Sequence, residues 1–247
     1  MTAILQQTLP YDPTQQRPLP GIAPTTMDEW LHRDDAFAAQ MRHRQHLLET
    51  RRDDVLALDP QAHPAAVELL DVVLAQGYPE ATNTAQRPDG VAVPIDRDNP
   101  LDTLCLLAQE DFCILQKRGD EHVLTGAILC FPASWRLSEK FMRPLIAIHA
   151  PVDSYDPNIA RRVQRLFDGI QVGRPLWRFN ALCYDDPELH QPRSASAPRE
   201  IRDRGTTRYL RSERQTLLRL PETRAVVFSI HTYVVPVEHL PEMENPA

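Results

Sequence analysis

The run DFCILQKRGDEHVLTGAILCF, residues 111–131, decides the fold class of this chain. Its two apolar halves, 111–117 and 122–131, are separated by a turn that contains Gly-Asp, a pattern typical of a β-hairpin. Three more runs with the composition of strands follow later in the chain, at 175–184, 207–218 and 224–235. We therefore predict an antiparallel sheet of about five strands.

Helical periodicity lies before and between these strands. Apolar residues recur at helical spacing over 28–50, 64–77 and 157–170, and a short helix is predicted at 101–108. Residues 79–100 are predicted to be loop-like, because prolines and a glycine interrupt every period there. Because Pro151 disfavours the helical conformation in the residue before it, a helix through Ile148 should end close to His149. The order of helices, hairpin, helices and three strands predicts an α+β fold, since the βαβ alternation of a parallel sheet is absent.

The chain divides into four stretches by composition. Five prolines between residues 10 and 24 predict an extended arm over residues 1–27, either loose or laid over the domain surface. A helical region over 28–108 should pack on a core at 109–236. The acidic, proline-containing tail at 237–247 is expected to fray.

Composition argues against several functions. The 247 residues carry a net charge of −7 and no basic run, which disfavours nucleic-acid binding. No apolar run of membrane-spanning length and no secretory signal occur, so we expect a cytoplasmic protein. Neither GxGxxG nor GxxxxGKS/T occurs, which weakens the case for a nucleotide site. The four cysteines form no CxxC pair, so reduced thiols are expected rather than a zinc site.

One histidine, His149, follows a short apolar segment in a region rich in Pro, Trp and Arg. At a helix end, beside Ile146 and Ile148, it can be a core residue whose ring is hydrogen-bonded to the main chain. It can also be an axial ligand of haem iron, which needs a neutral imidazole and an apolar wall for the porphyrin. The residues alone leave both interpretations open.

Polar side chains recur along the second-last predicted strand. Alternation places Arg211, Glu213 and Gln215 on one of its faces. Such a face is either solvated or a hydrogen-bonded network that lines a small-molecule pocket. In the second case Glu213 could hold a cationic amine, and Arg211 or Arg214 could set its charge or bind a haem propionate.

Further candidate groups lie on the last predicted strand and in a turn. Alternation places His231 and Tyr233 on one strand face, where they could donate into a pocket or lie half-exposed. His190, in DDPELHQP, could be a second metal ligand or an acid/base group. The Asp-Pro pair in that run favours a simple turn instead.

Six ordered motifs resemble one known family. They are CFPASWRLSEK (130–140), RPLIAIHAPV (143–152), GRPLWRFN (173–180), DDPELHQP (185–192), LRSERQTLLRLP (210–221) and VVFSIHTYVVP (226–236). Together they resemble the haem-dependent oxidative N-demethylase alpha-subunit family, over about residues 17–236. No single motif would suffice, but six in the same order are specific.

The resemblance implies a PAS-like fold, in which a five-stranded antiparallel sheet flanked by helices binds haem b, here with an N-terminal helical extension. It implies oxidative N-demethylation of a small secondary amine such as dimethylamine, with O2 activated at the haem iron. Electrons would come from NADPH through a separate reductase subunit with flavin and an iron–sulfur cluster, so a homo- or hetero-oligomer is expected. The alternatives are a non-catalytic haem-binding sensor or electron-transfer module, and a haem-free scaffold.

The predicted site combines this resemblance with the strand patterns. It comprises a proximal iron ligand, His149; four catalytic-pocket groups, Arg211, Glu213, His231 and Tyr233; and two cofactor contacts, Trp177 and Arg214. One departure is visible, because His231 stands where the family more typically has arginine, in an FTIRTY-like strand. If that arginine positions substrate or a propionate, the amine bound by this chain differs.

Overall fold

The computed structural model describes residues 3–15, 21–149, 157–194, 197 and 208–240, without the side chains of residues 149 and 157–161. Within these residues the chain forms one seven-stranded sheet, a separate two-stranded ribbon, and helices on both faces of the large sheet. The predicted α+β class is confirmed. Parts of the predicted arm and tail, at 16–20 and 241–247, lie outside the described residues.

The described helices are α1 (Phe37–Val55), α2 (His63–Gly77), α3 (Pro100–Leu107), α4 (Leu137–Lys140), α5 (Leu145–His149) and α6 (Pro157–Gly169). The described strands are β1 (Ala23–Pro24), β2 (Leu56–Leu58), β3 (Thr84–Gln86), β4 (Ala92–Pro94), β5 (Asp111–Arg118), β6 (Glu121–Ile128), β7 (Leu176–Tyr184), β8 (Tyr209–Arg219) and β9 (Val226–Pro236). The large sheet has the order β1-β7-β8-β9-β5-β6-β2 with antiparallel neighbours, and β3 pairs with β4. Among these helices, none combines the length and apolarity that a membrane span requires.

Five long strands, β5 to β9, occupy the runs predicted as strands. β5 and β6 form the predicted hairpin, and Gly119 adopts the left-handed conformation at its turn, with φ of 64°. The described sheet has seven strands rather than about five, because two short edge strands extend it: β1 pairs with β7, and β2 pairs with β6. Segments of two or three residues show no alternation, so no sequence pattern marks them.

Two apolar clusters pack against the large sheet, mainly on opposite faces, although Val234 of the back face belongs to the first cluster. The front face, which includes Phe112 and Val227, belongs to a cluster with α1, α2 and α3. The back face, which includes Cys113 and Leu217, belongs to a cluster with the other three helices. Those helices contribute Leu137 of α4, Leu145 of α5 and Phe167 of α6. Consecutive residues of a strand point to opposite faces, so β5 supplies both clusters.

α1 begins at Phe37 rather than near residue 28. The segment before it lies across the front face, where the Trp30 indole N–H donates to Ser229 Oγ at 2.9 Å. The Asp34 carboxylate accepts the Ala36 main-chain N–H at 2.9 Å and faces β9. These contacts with the sheet hold the segment out of the helix that its apolar spacing favours.

Two regions predicted without regular structure contain some. The loop-like stretch 79–100 includes the β3–β4 ribbon, whose turn contains Gly90 with φ of 83°. The start of the predicted fraying tail, Val237–His239, forms a turn of 3-10 helix. Its first N–H donates to the Arg208 carbonyl oxygen at 2.9 Å, which fastens the end of β9.

A buried ion pair joins α1 to the first residue of β5. Arg44 Nη1 donates to Asp111 Oδ1 at 2.7 Å, and both side chains are almost completely buried. Nη1 also donates to the Gln109 carbonyl oxygen, and Nε and Nη2 donate to the carbonyl oxygens of Cys105 and Glu110. The Asp111 carboxylate also accepts the N–H groups of Cys130 and Phe131. This network fixes α1, α3 and the segment after β6 to one another.

Candidate functional site

The predicted site residues lie on both faces of the sheet. In the pairing of β8 with β9, Glu213 is opposite Thr232 and Arg214 is opposite His231. Since opposed residues share a face, the sheet separates two groups. The back face carries Arg211 and Glu213, and the front face carries Trp177, Arg214, His231 and Tyr233. The six predicted residues on these strands therefore do not line a single surface of the sheet.

On the front face, His231 lies buried between two carboxylates. Its Nδ1 is 3.0 Å from Glu110 Oε1 and its Nε2 is 2.9 Å from Asp34 Oδ2. Burial alone would lower the pKa of His231, but its hydrogen bonds with Asp34 and Glu110 raise that pKa to about 9. The ring is therefore an imidazolium at neutral pH, and both of its N–H groups donate.

Asp34 is held from the N-terminal side as well. Gln6 Nε2 donates to Asp34 Oδ2 and Gln109 Nε2 donates to Oδ1, both at 2.9 Å. Burial would raise the pKa of Asp34, but hydrogen bonds from His231, Gln109 and Gln6 bring it to about 2. The carboxylate stays ionised and balances the charge of His231.

Tyr233 and His32 form a second pair beside this ion cluster. The Tyr233 hydroxyl lies 2.8 Å from His32 Nδ1, and His32 Nε2 lies 3.1 Å from the Glu29 carbonyl oxygen. A carbonyl oxygen only accepts, so Nε2 carries the proton and Nδ1 accepts from the phenol. Burial, followed by the charge of Arg214, lowers the pKa of His32 to about 4, which agrees with a neutral ring.

Arg214 and Trp177 contact each other on the same face. The guanidinium carbon of Arg214 lies 5.0 Å from the Trp177 ring centre, and Nη1 donates to Thr216 Oγ1 at 2.9 Å. Trp177 also neighbours Tyr11 and Phe179, with ring centres 5.7 and 6.1 Å away. A cavity of about 200 Å³ borders these three rings. The four predicted residues of the front face, Trp177, Arg214, His231 and Tyr233, thus lie between the sheet and the N-terminal residues.

On the back face, Glu213 is partly buried and its carboxylate is oriented by two amides. Oε2 accepts from Asn180 Nδ2 at 3.0 Å and from Gln215 Nε2 at 3.1 Å. Asn180 Oδ1 in turn accepts the Glu213 main-chain N–H at 3.1 Å. Among the residues described, no side chain donates to the other carboxylate oxygen, Oε1. That oxygen can accept from a bound molecule.

Arg211 holds two loops at one end of this face. Its guanidinium donates to the carbonyl oxygens of Phe131, Glu188 and Leu189 at 2.8, 3.2 and 3.1 Å. The side chain is almost fully buried, and burial lowers its pKa. Arg211 therefore ties the segment after β6 to the segment after β7.

Three buried polar atoms of the back-face strands have no hydrogen-bond partner in the described part of the chain. They are Arg178 Nε, Arg211 Nε and Thr232 Oγ1. Buried polar atoms in folded proteins are almost always satisfied. Three of them near Glu213 indicate a place where a ligand or ordered water supplies the missing partners.

α4 and α5 border the same face. Lys140 Nζ lies 4.5 Å from the Trp135 ring centre, and burial lowers the pKa of Lys140. In α5, Leu145 and Ile148 pack into the back-face cluster. The backbone of His149 is the last described part of this helix, while its side chain lies outside the described residues. The residues after His149 lie outside the described part of the chain, so the helix end and the ligand role both stay predictions.

His190 takes part in a loop. Its Nδ1 lies 2.8 Å from the Cys130 carbonyl oxygen, so that nitrogen donates to the main chain. Asp186 Oδ1 accepts the Glu188 N–H at 2.9 Å, as the predicted turn requires. In the part of the chain described, no group of three or more His, Cys, Asp or Glu is arranged to hold a metal ion.

Sequence reasoning missed four residues of the back-face site. These are Trp135, Arg178, Asn180 and Thr232. For Arg178 and Asn180 a signal existed, because they are two apart in GRPLWRFN and so share a strand face. No such signal marked Thr232, because its position opposite Glu213 depends on the register of β8 and β9.

One family model matches nearly the whole chain. The model is that of the haem-dependent oxidative N-demethylase, alpha subunit-like proteins, and it matches residues 21–247. The match includes β1 to β9 and all the predicted site residues, whereas Gln6 and Tyr11 of the front face lie before it. The family description names haem dependence and a subunit, and thus implies a partner subunit. This chain belongs to the haem-dependent oxidative N-demethylase, alpha subunit-like family.

Proposed function

We propose that this chain is the haem-binding subunit of an oxidative N-demethylase that acts on a small secondary amine such as dimethylamine. When bound, haem b would supply the activation of O2 that the oxidation of an N-methyl group requires. Electrons would come from NADPH through a separate reductase subunit that carries flavin and an iron–sulfur cluster. We also propose that β5 to β9 form a PAS-like core, to which β1 and β2 are additions.

The back face of the sheet is the proposed pocket. Its residues fit the cofactor in two respects: Leu217 and Phe228 offer apolar contact, and Arg178 has a buried nitrogen that can bind a propionate. His149 is our choice for the axial ligand. It is the last described residue of the helix whose residues Leu145 and Ile148 pack over this face.

Glu213 is the observation that carries the amine assignment. A secondary amine is a cation at neutral pH, and a carboxylate forms a charge-assisted hydrogen bond with it. Asn180 and Gln215 bind one oxygen and hold the carboxyl group in a fixed orientation. Oε1 would then hold the ammonium N–H and keep the N-methyl groups against the apolar part of the face.

On this proposal, Arg211 acts by positioning. Its three bonds to carbonyl oxygens shape the loops that border the pocket. Trp177, Arg214, His231 and Tyr233 support the sheet from the front face. The replacement of the family's arginine by His231 keeps a cation between Asp34 and Glu110, so it leaves the proposed amine pocket unchanged.

Haem titration followed by turnover tests the proposal. The purified chain should develop a Soret band with haem, and His149→Ala should lose haem or shift the band while His190→Ala does not. With an electron donor and O2, dimethylamine should yield formaldehyde. No Soret band would refute haem binding. A Soret band without product across a panel of secondary amines would favour the haem-binding sensor or electron-transfer module.

A further inference from the structure

Two cysteines that are far apart in the sequence meet inside the protein. Cys105 lies on α3 and Cys130 lies two residues after β6. Their sulfur atoms are 3.5 Å apart, and neither residue has any exposed surface. No disulfide joins any of the four cysteines, so both sulfur atoms belong to free thiols.

A buried cation and a carboxylate fix the surroundings of the pair. Arg44 Nε donates to the Cys105 carbonyl oxygen at 3.1 Å, and the same guanidinium binds Asp111. Asp111 accepts the Cys130 N–H at 2.8 Å. Both cysteine backbones are thus held by one ion pair, which keeps the two sulfur atoms in contact.

The two thiols differ in acidity. The hydrogen bond from Cys130 lowers the pKa of Cys105, and the charge of Arg44 acts in the same direction. Burial raises the pKa of Cys130. Cys113, another buried cysteine, is different because burial raises its pKa to about 12, and no described cysteine is its hydrogen-bond partner. The sulfur contact allows either thiol to attack first, and the lowered pKa of Cys105 favours Cys105 for that step.

We propose that Cys105 and Cys130 are a site of reversible oxidation, which hydrogen peroxide converts to a disulfide. In the first step the Cys105 thiol loses its proton, the thiolate attacks one peroxide oxygen and the O–O bond breaks. The leaving hydroxide takes up that proton, so a sulfenic acid and water result. In the second step the Cys130 sulfur attacks the Cys105 sulfur, the S–O bond breaks, and a second water leaves. Two thiols and one peroxide thus give one disulfide and two waters.

Closing the bond requires a small local movement. The sulfur atoms must approach from 3.5 Å to the disulfide length of about 2.05 Å. That movement draws α3 toward the segment after β6. The carbonyl oxygen of the next residue, Phe131, accepts a hydrogen bond from Arg211 Nη2 at 2.8 Å. Oxidation is thus coupled to the loops at the end of the back face.

Burial restricts the oxidants that reach the site. With no exposed surface on either residue, a bulky disulfide reagent has no access to the folded chain. Hydrogen peroxide is close to water in size and can enter through brief local opening. We therefore expect slow oxidation by peroxide and little reaction with bulky reagents before unfolding.

Mass spectrometry of the full chain tests the site. Peroxide-treated protein, unfolded and alkylated, should show two blocked thiols out of the four, reversal by dithiothreitol, and a loss of about 2 Da before reduction. Peptide mapping should join the peptides that contain Cys105 and Cys130. Cys130→Ser should abolish the loss of mass, and the matched variant Cys113→Ser should retain it.

Other outcomes overturn the proposal. Four alkylated thiols after prolonged exposure would mean that the pair is only a packing contact. A disulfide that includes Cys113 or Cys183 would assign the oxidation elsewhere. If Cys130→Ser does not fold, the peptide map of the unmodified chain decides alone. The haem-free chain serves in this assay, so its result is independent of the proposed demethylase function.

Discussion

Glu213 has two carboxylate oxygens in unequal surroundings. Oε2 accepts from Asn180 and Gln215, whereas in the described residues nothing donates to Oε1. Thr232, directly opposite on β9, has a buried hydroxyl that also lacks a partner there. A cation or N–H donor bound between these two groups would satisfy both.

We expect Glu213→Gln to weaken the binding of dimethylamine by about tenfold to a hundredfold, because a hydrogen bond to a charged group is lost while the size is kept. The shift that dimethylamine causes in the Soret band measures the affinity, and formaldehyde release measures turnover. Glu80→Gln, at an exposed position, is the matched control. Equal affinities in the two variants would exclude Glu213 from the amine site.

At the level of residues, the sequence predicts which side chains of one strand share a face, because side chains alternate along a strand. It correctly puts Arg211 with Glu213 on one face and His231 with Tyr233 on one face. That these are opposite faces was not predictable, because it depends on the register that sets Glu213 against Thr232. A shift of one residue would exchange the faces, and long-range packing selects the register.

At the level of elements, the N-terminal arm is hydrogen-bonded to β9. The Gln6 main-chain N–H donates to the Val234 carbonyl oxygen at 3.0 Å, and the Val234 N–H donates to Gln6 Oε1 at 2.8 Å. Gln6 Nε2 reaches the Thr232 carbonyl oxygen and Asp34. The Gln6 side chain is fully buried, so this part of the arm is packed against the sheet.

Removal of the Gln6 amide should loosen this contact. Gln6→Ala leaves the Val234 N–H buried without its acceptor, so we expect a loss of about 1–3 kcal/mol in the free energy of unfolding. Hydrogen exchange at Val234 should also become faster. Gln7→Ala is the control, since Gln7 is exposed and bonds through its main chain. Equal urea midpoints for both variants would contradict an anchoring role.

The elements that the sequence predicts are those with a sustained period. The strands β5 to β9 and the helix α2 repeat their apolar positions often enough to be recognised. β1, β2 and the segment before α1 are set by contacts with distant strands, such as the bond from Trp30 to Ser229. No local pattern encodes such contacts, so those elements were missed.

For the whole molecule, the two faces differ in how their charges are balanced. On the front face His231 is paired with Asp34 and Glu110, in a cluster that joins the N-terminal residues to the sheet. On the back face Glu213 is bound by neutral amides and Arg178 has an unsatisfied nitrogen. Glu110 Oε2 on the front face also lacks a partner among the described residues, so unsatisfied buried atoms occur on both faces. The proposed amine site on the back face therefore rests on Glu213 and its neighbours, and not on a contrast between the two faces.

The front cluster makes stability depend on pH. The pKa of His231 rises from its ordinary value of 6.5 to about 9, so its contribution is complete below pH 6.5 and is lost as pH rises through about 9. The pKa of His32 falls from 6.5 to about 4, so its contribution is present above pH 6.5 and is lost as pH falls through about 4. The combined contribution of His231 and His32 to the free energy of unfolding is therefore greatest near pH 6.5.

The substitution His231→Arg should separate the loss of stability at high pH from the loss at low pH. An arginine keeps the positive charge between Asp34 and Glu110 and does not titrate in this range. We expect the free energy of unfolding of the unmodified chain to fall by on the order of 3 kcal/mol as pH rises from 6.5 through about 9, and the variant to stay nearly level. Below pH 6.5 both should decline alike, because His32 is unchanged. Urea titrations at several pH values measure this, and a parallel alkaline decline in both proteins would show that another group is responsible.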